Sequence, residues 1–192
     1  MNWLLIKKSA VVVALASIAS GCAVNNEAEQ PKEEVVYTNV VYSADTRIDN
    51  YFDDQYKIFK DIFTEFTVQR ISDREIRIII PTDYGFDVGG WSMNRTLRNH
   101  IADMANTLND YKETSIWVHG HTDNQGNLKY NIGLSQHRAD AVKDLLIANN
   151  VDNPRIKTVA EAYEMPRCDN TTKIGKDCNR RVEIVVRANA LR

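Results

Sequence analysis

The chain lacks a long apolar run, a basic run and every common catalytic motif, and each absence excludes something. A bilayer-spanning helix needs ~20 consecutive apolar residues. The longest candidate, Ser9 to Ser20, falls well short of that. Lysines and arginines number 24 against 26 acidic residues and are scattered, so no stretch has the cationic density that draws a protein to nucleic acid. With 43% hydrophobic residues and a net charge of −2, the chain is not a disordered polyanion either. There is no Gly-x-Ser-x-Gly elbow, no phosphate loop, no dinucleotide glycine pattern and no His-Glu-x-x-His pair. These absences point away from an enzyme and from any cofactor. Internal repeats are absent, and 192 residues suffice for one domain with a real core plus extensions.

What is present begins with an export pattern. Lys7 and Lys8 precede the small-residue apolar run Ser9 to Ser20, which has the length of a signal-peptide core. Ile18-Ala19-Ser20-Gly21-Cys22 follows, and it resembles a lipobox, with Ala19 where leucine is more usual. That resemblance implies a signal peptide over residues 1–21 and a lipidated N-terminus at Cys22. The alternative is a plain secretory signal with an incidental cysteine. Ala23 stands where aspartate often retains enteric lipoproteins in the inner membrane, which implies an outer-membrane address. Several acyl chains anchor firmly, at ~0.8 kcal/mol per buried methylene.

Three cysteines is an odd number. With Cys22 acylated, Cys168 and Cys178 remain, close together in a polar stretch. In an oxidising compartment such a pair is expected to close as a disulfide. A half zinc site is the alternative, but no second pair of ligands stands nearby.

Residues 22–48 read as the lipidated N-terminus and a tether, acidic and polar to Glu34 and β-prone over Val35 to Tyr42. Thirty flexible residues typically span ~30 Å, with an extended limit of ~100 Å. Residues 49–73 carry Phe52, Tyr56, Phe59, Phe63 and Phe66 at spacings of three and four, predicting an amphipathic helical extension. From residue 74 to 192 strand and helix patterns alternate. Strands are expected over Glu75 to Ile80, Ser115 to Gly120, Ile156 to Ala160 and Arg181 to Arg187, and helices over Met93 to Tyr111 and Leu134 to Ala148. The fold class is α+β, a two-layer domain whose mixed sheet carries two main helices on one face.

One segment is far more specific than the rest: Gly120-His121-Thr122-Asp123-Asn124-Gln125-Gly126, then Tyr130-Asn131, Leu134-Ser135, Arg138-Ala139 and Val142. Phe86-Asp87 precedes it and Asn179-Arg180-Arg181-Val182-Glu183-Ile184 follows it. Over roughly Glu75 to Ala188 this resembles the OmpA-like C-terminal domain shared with peptidoglycan-associated lipoproteins. The resemblance implies a non-catalytic receptor for the diaminopimelate of the peptidoglycan stem. Asp123 and Arg138 would be its principal clamp, assisted by Asn131 and Asp87, with Arg181 at the rim. The residue types suit that ligand, since an arginine fork pairs with a carboxylate and a carboxylate takes an ammonium.

The sequence departs from the family pattern at Gly90, where serine is usual, at the bulky Trp91, and at Ala162, where glycine is usual. Three other readings stay open. Asp123 and Arg138 could form an intramolecular ion pair that only fixes a loop. His119, His121 and Asp123, alternating on a strand, could offer metal ligands. The domain could also be a building block of a larger envelope machine such as a secretion complex, docking through Val35–Tyr42 and the aromatic helix.

Overall fold

The computed structural model describes residues 44–189, so the signal peptide, Cys22, the tether and the β-prone Val35–Tyr42 segment lie outside the described residues. The first described element, α1 (Ala44–Ile62), is longer at its start than the aromatic stripe requires. The stripe itself is buried: Phe52 and Phe59 are fully inaccessible, and Phe63 and Phe66 nearly so. Phe63 and Phe66 sit beyond the helix end and enter β1 (Thr67–Ser72), a strand inside the stretch expected to be helical. Spacings of three and four fit Phe63 and Phe66 to a helix on paper. The chain instead turns, and each ring packs on the next at 5.8 and 5.4 Å between centroids.

The two-residue turn Asp73-Arg74 joins β1 to β2 (Glu75–Pro81) in an antiparallel hairpin. Then come the short α2 (Thr82–Gly85), α3 (Arg95–Asp110), β3 (Thr114–His121), α4 (Leu128–Ala148), β4 (Ile156–Ala162), α5 (Lys173–Asn179) and β5 (Arg181–Ala188). The strands form one sheet in the order β1-β2-β5-β3-β4. Only β3 and β4, joined through α4, run parallel. The sheet is mixed, as the pattern of strands and helices implies.

Alternation decides which face is the core. Ile76, Ile78 and Ile80 of β2, Ile116 and Val118 of β3, and Val182, Ile184 and Val186 of β5 are all fully buried under the helices. Leu97, Ile101, Met104, Ala105 and Leu108 of α3 meet them along one stripe. The four phenylalanines of the α1 region belong to the same cluster, so that region is part of this core rather than an appendage to it. Burying each ring contributes ~1.5–3 kcal/mol.

Helix ends are satisfied by side chains. Asn94 caps α3 by accepting from the Leu97 amide at 2.9 Å, and Asn127 caps α4 by accepting from the Tyr130 amide at 2.9 Å. At the other end of α3, the Arg155 guanidinium donates to the carbonyls of Leu108, Tyr111 and Thr114, each at 2.9 Å. One arginine thus closes carbonyls that the helix itself leaves unpaired. No helix among the described residues is long and apolar enough to cross a membrane.

Candidate functional site

The site forms where β3 ends against the start of α4. Gly120 makes this possible: a Cβ built there would lie 2.0 Å from the backbone oxygen of Ser135. Helix and strand therefore touch backbone to backbone. The Ser135 hydroxyl, fully buried, accepts from the Ala162 amide at 3.3 Å, and the Thr122 amide donates to the Ala162 carbonyl at 2.8 Å. Ala162 sits at φ +48°, the left-handed region that disfavours a side chain by ~1–2 kcal/mol. The family's usual glycine at this position has its reason in that backbone angle.

Asp123 follows at once and is 6% exposed. Its Oδ1 accepts from the Gln125 amide at 3.0 Å and its Oδ2 from Arg180 Nη1 at 2.9 Å. Asn131, on the first turns of α4, donates from Nδ2 to the Gln125 carbonyl at 2.8 Å. Asn131 thereby braces the loop that presents Asp123. Among the described residues two acceptor positions on the carboxylate are used and its remaining lone pairs are not.

Arg138 lies two helical turns further along α4 and is 3% exposed. Its Nε donates to the Gly90 carbonyl at 2.8 Å, and its guanidinium carbon stands 5.8 Å from the centroid of the Phe86 ring. Among the described residues its two terminal nitrogens have no hydrogen-bond partner. Burial lowers the affinity of the guanidinium for its proton, opposed by the negative charges of Asp83 and Asp123. Asp87 is exposed at the start of the loop that ends on Arg138. Its carbonyl accepts from the Gly90 amide at 2.9 Å, with Gly89 at φ +66° completing the turn. The ion pair of Asp123 is therefore made with Arg180, and Arg138 is held ready by a backbone carbonyl and an aromatic face.

Arg181 differs from its expected place at the rim. It is 4% exposed and donates to Glu183 Oε1 at 2.7 Å, to the Asn179 carbonyl at 3.2 Å and to the Met165 carbonyl at 3.2 Å. The arginine that reaches Asp123 is its neighbour, Arg180, which also bonds Asp83 at 2.9 Å and Asp177 at 2.5 Å. These three acids raise the Arg180 proton affinity further. The distinction was available in the strand period: Val182, Ile184 and Val186 face the helices, so Arg181 must face away with Glu183.

Cys168 and Cys178 are joined by a disulfide. It closes the segment that carries α5 and leads into Arg180. Just past that segment Asn179 is fully buried, accepts from the amides of Arg167 and Cys168, and donates to Cys168 and Asn170. The staple and the asparagine together fix the approach of Arg180 to Asp123.

His119 and His121 lie on the sheet face away from the helices. His119 Nδ1 meets Glu161 Oε1 at 2.8 Å. His121 is 4% exposed; its ring nitrogens are buried without a hydrogen bond, and Nε2 stands 4.0 Å from Glu183 Oε1. Among the described residues no three histidine, cysteine or acidic side chains come together as a metal site. Burial, reinforced by the nearby Arg181 charge, lowers the His121 pKa to about 3. The folded protein thus keeps this ring neutral while the unfolded chain protonates it near pH 6.5. Stability is full above pH 6.5 and falls as pH drops from there toward 3, at up to about 1.4 kcal/mol per unit. We expect urea unfolding to show about 2 kcal/mol less stability at pH 5 than at pH 7.5, and His121→Leu to flatten that difference. An equal pH dependence in His121→Leu would show that the loss arises elsewhere.

An α+β sheet-and-helix domain with an arginine and an aspartate at the junction of β3 and α4 defines the class, and comparison defines the family. Residues 85–180 match the OmpA family, and the chain belongs to it. It is 30% identical to the probable lipoprotein YiaD of Escherichia coli over 184 residues, covering 93% of this chain and 84% of that one. It is 26% identical to the peptidoglycan-associated lipoprotein of Buchnera aphidicola over 138 residues, 72% of this chain and 80% of that one. Outer membrane porin F proteins of two Pseudomonas species also align, but the chain covers only 35% and 32% of their lengths. Among solved structures, the cell wall anchor of the T6SS from Pseudomonas aeruginosa superposes with a TM-score of 0.60 at 28% identity, over 74% of this chain and 98% of that one.

Proposed function

We propose that this protein is a non-enzymatic outer-membrane lipoprotein that holds peptidoglycan through the diaminopimelate of its stem peptide. The observation that carries the reading is the state of Arg138: buried, held by Gly90 and Phe86, with both terminal nitrogens unspent beside a buried aspartate. Those two nitrogens are not fully enclosed, so they open to solvent where a carboxylate can pair with both. The ligand's ammonium would go to Asp123, sharing it with Arg180, and Asp87 would close the open side. Asn131 would act through the Gln125 loop. Cys22 would carry the lipid that ties this grip to the outer membrane. The likeness to relatives named as peptidoglycan-associated and as a cell wall anchor supports the reading.

The test is sedimentation of the purified, lipid-free mature chain with isolated sacculi. Co-sedimentation that a soluble diaminopimelate peptide competes away is the expected result. Failure of the protein to pellet with sacculi would instead favour a second reading, a building block of an envelope machine. The likeness to the T6SS anchor gives that reading its footing.

A further inference from the structure

Beside the clamp runs a groove of about 460 Å³ along the outer face of the first turns of α4. Tyr130, Leu134 and His137 line it at helical spacing, Asn127 and Lys129 stand at its start, and Trp91 forms the facing wall. Trp91 is 50% exposed and Tyr130 55%, two large rings left half in water on a small domain. Trp91 is not loose, because its ring packs on His137 at 4.5 Å between centroids. Tyr130 in turn reaches the Gly89 carbonyl at 3.4 Å. The loop that offers its Gly90 carbonyl to Arg138 therefore also supplies the groove's wall, one residue later.

Gly133 adds an independent sign. It lies in the interior of α4, where glycine costs ~1 kcal/mol relative to alanine. A Cβ there would meet nothing within 4 Å, and the space it would enter is this groove. The helix thus carries its least favourable ordinary residue where a side chain would narrow the channel.

We infer that this groove is a sugar subsite that takes an N-acetylhexosamine of the glycan strand while the clamp holds the attached stem peptide. A pyranose ring has one face of C–H groups, which suits an aromatic wall, and an edge of hydroxyls, which suits Asn127 and Lys129. No carboxylate lines the groove. Its volume lies within the ~300–1,000 Å³ of small-molecule sites. The inference rests on the wall-ligand reading of the clamp, since the two sites share the Asp87–Trp91 loop.

The experiment is titration calorimetry with three soluble probes: the stem peptide alone, the disaccharide bearing the same peptide, and a peptide-free oligomer of N-acetylglucosamine. Wild type is expected to bind the disaccharide-peptide about tenfold more tightly than the peptide, the scale of one good aromatic contact. Gly133→Leu should remove that increment and leave affinity for the free peptide unchanged; Trp91→Ala should remove it too, whatever it does to the loop shared with the clamp. Two variants are used because one deletes a wall and the other fills the channel. Equal binding of peptide and disaccharide-peptide by wild type overturns the subsite and leaves the clamp standing. Binding of the disaccharide-peptide and the sugar oligomer, but not of the peptide, keeps the subsite and sinks the clamp. Loss of free-peptide affinity in Gly133→Leu would assign the groove to the peptide instead. Binding of none of the three overturns both.

Discussion

Arg138→Ala is expected to leave the fold standing and to weaken binding of a diaminopimelate stem peptide by at least tenfold. Truncating one partner of a desolvated charge pair costs ~2–5 kcal/mol, because the other charge stays buried without its counterpart. Here the lost groups are the two terminal nitrogens of a fork already oriented by the Gly90 carbonyl and the Phe86 ring. Arg138→Lys should recover little, since an ammonium offers a point charge where a planar fork is required. Asp123→Ala should act on the same ligand from its other side. It also strips Arg180 of its buried acceptor, although Arg180 keeps Asp83 and Asp177. The double variant should cost less than the sum of the two, because both side chains grip one small molecule. Titration of each purified variant, with its thermal melt recorded alongside, gives the measurement. If both single variants melt and bind like wild type, the ligand sits elsewhere and the Asp123–Arg138 junction is structural.

Most of the sheet, α3 and the later part of α4 were legible from their apolar periods. Ile76, Ile78 and Ile80 recur at every second position, as do Val182, Ile184 and Val186, and every one of them is buried, although Ile79 and Val185 on the other face are buried too. The start of α4 was not legible, since Gly133 and a polar first turn hide six residues of helix before Leu134. The strand β1 was hidden for a different reason. Its entry residues, Phe63 and Phe66, continue a helical spacing by coincidence, and only the hairpin with β2 fixes its pairing. At the site, Asp123, Asn131 and Arg138 were found because the signature fixes their spacing within one strand-to-helix unit. Arg180 was passed over because its partner Asp123 is 57 residues away, and two adjacent arginines look alike until the strand's period assigns each a side. Trp91 read as a defect in the pattern, because the wall it shares with Tyr130 and His137 exists only once the loop lies across the helix.

Gly120→Ala should be the most damaging single methyl group that can be added to the site. The new Cβ would meet the Ser135 backbone oxygen at 2.0 Å, its carbonyl carbon at 2.7 Å and its Cα at 3.0 Å. None of these atoms can swing aside, so β3 and α4 must part. Overpacking of a core costs ~1–3 kcal/mol and sometimes more, and backbone on backbone belongs at the upper end. A loss of about 3 kcal/mol in urea unfolding is the expected result. Function should fall with it, because Asp123 rides on the end of β3 while Asn131 and Arg138 ride on α4. Separating the two elements widens the gap between the carboxylate and the guanidinium, so binding should be lost at temperatures where the variant is still folded. Gly133→Ala is the control, since the same chemical change in the same helix meets open space and should stabilise by about 1 kcal/mol. The contrast in sign between two glycine-to-alanine changes separates close approach from helix propensity. A Gly120→Ala protein as stable as wild type would mean that α4 does not rest on β3 at this point, and the geometry of the clamp would have to be drawn again.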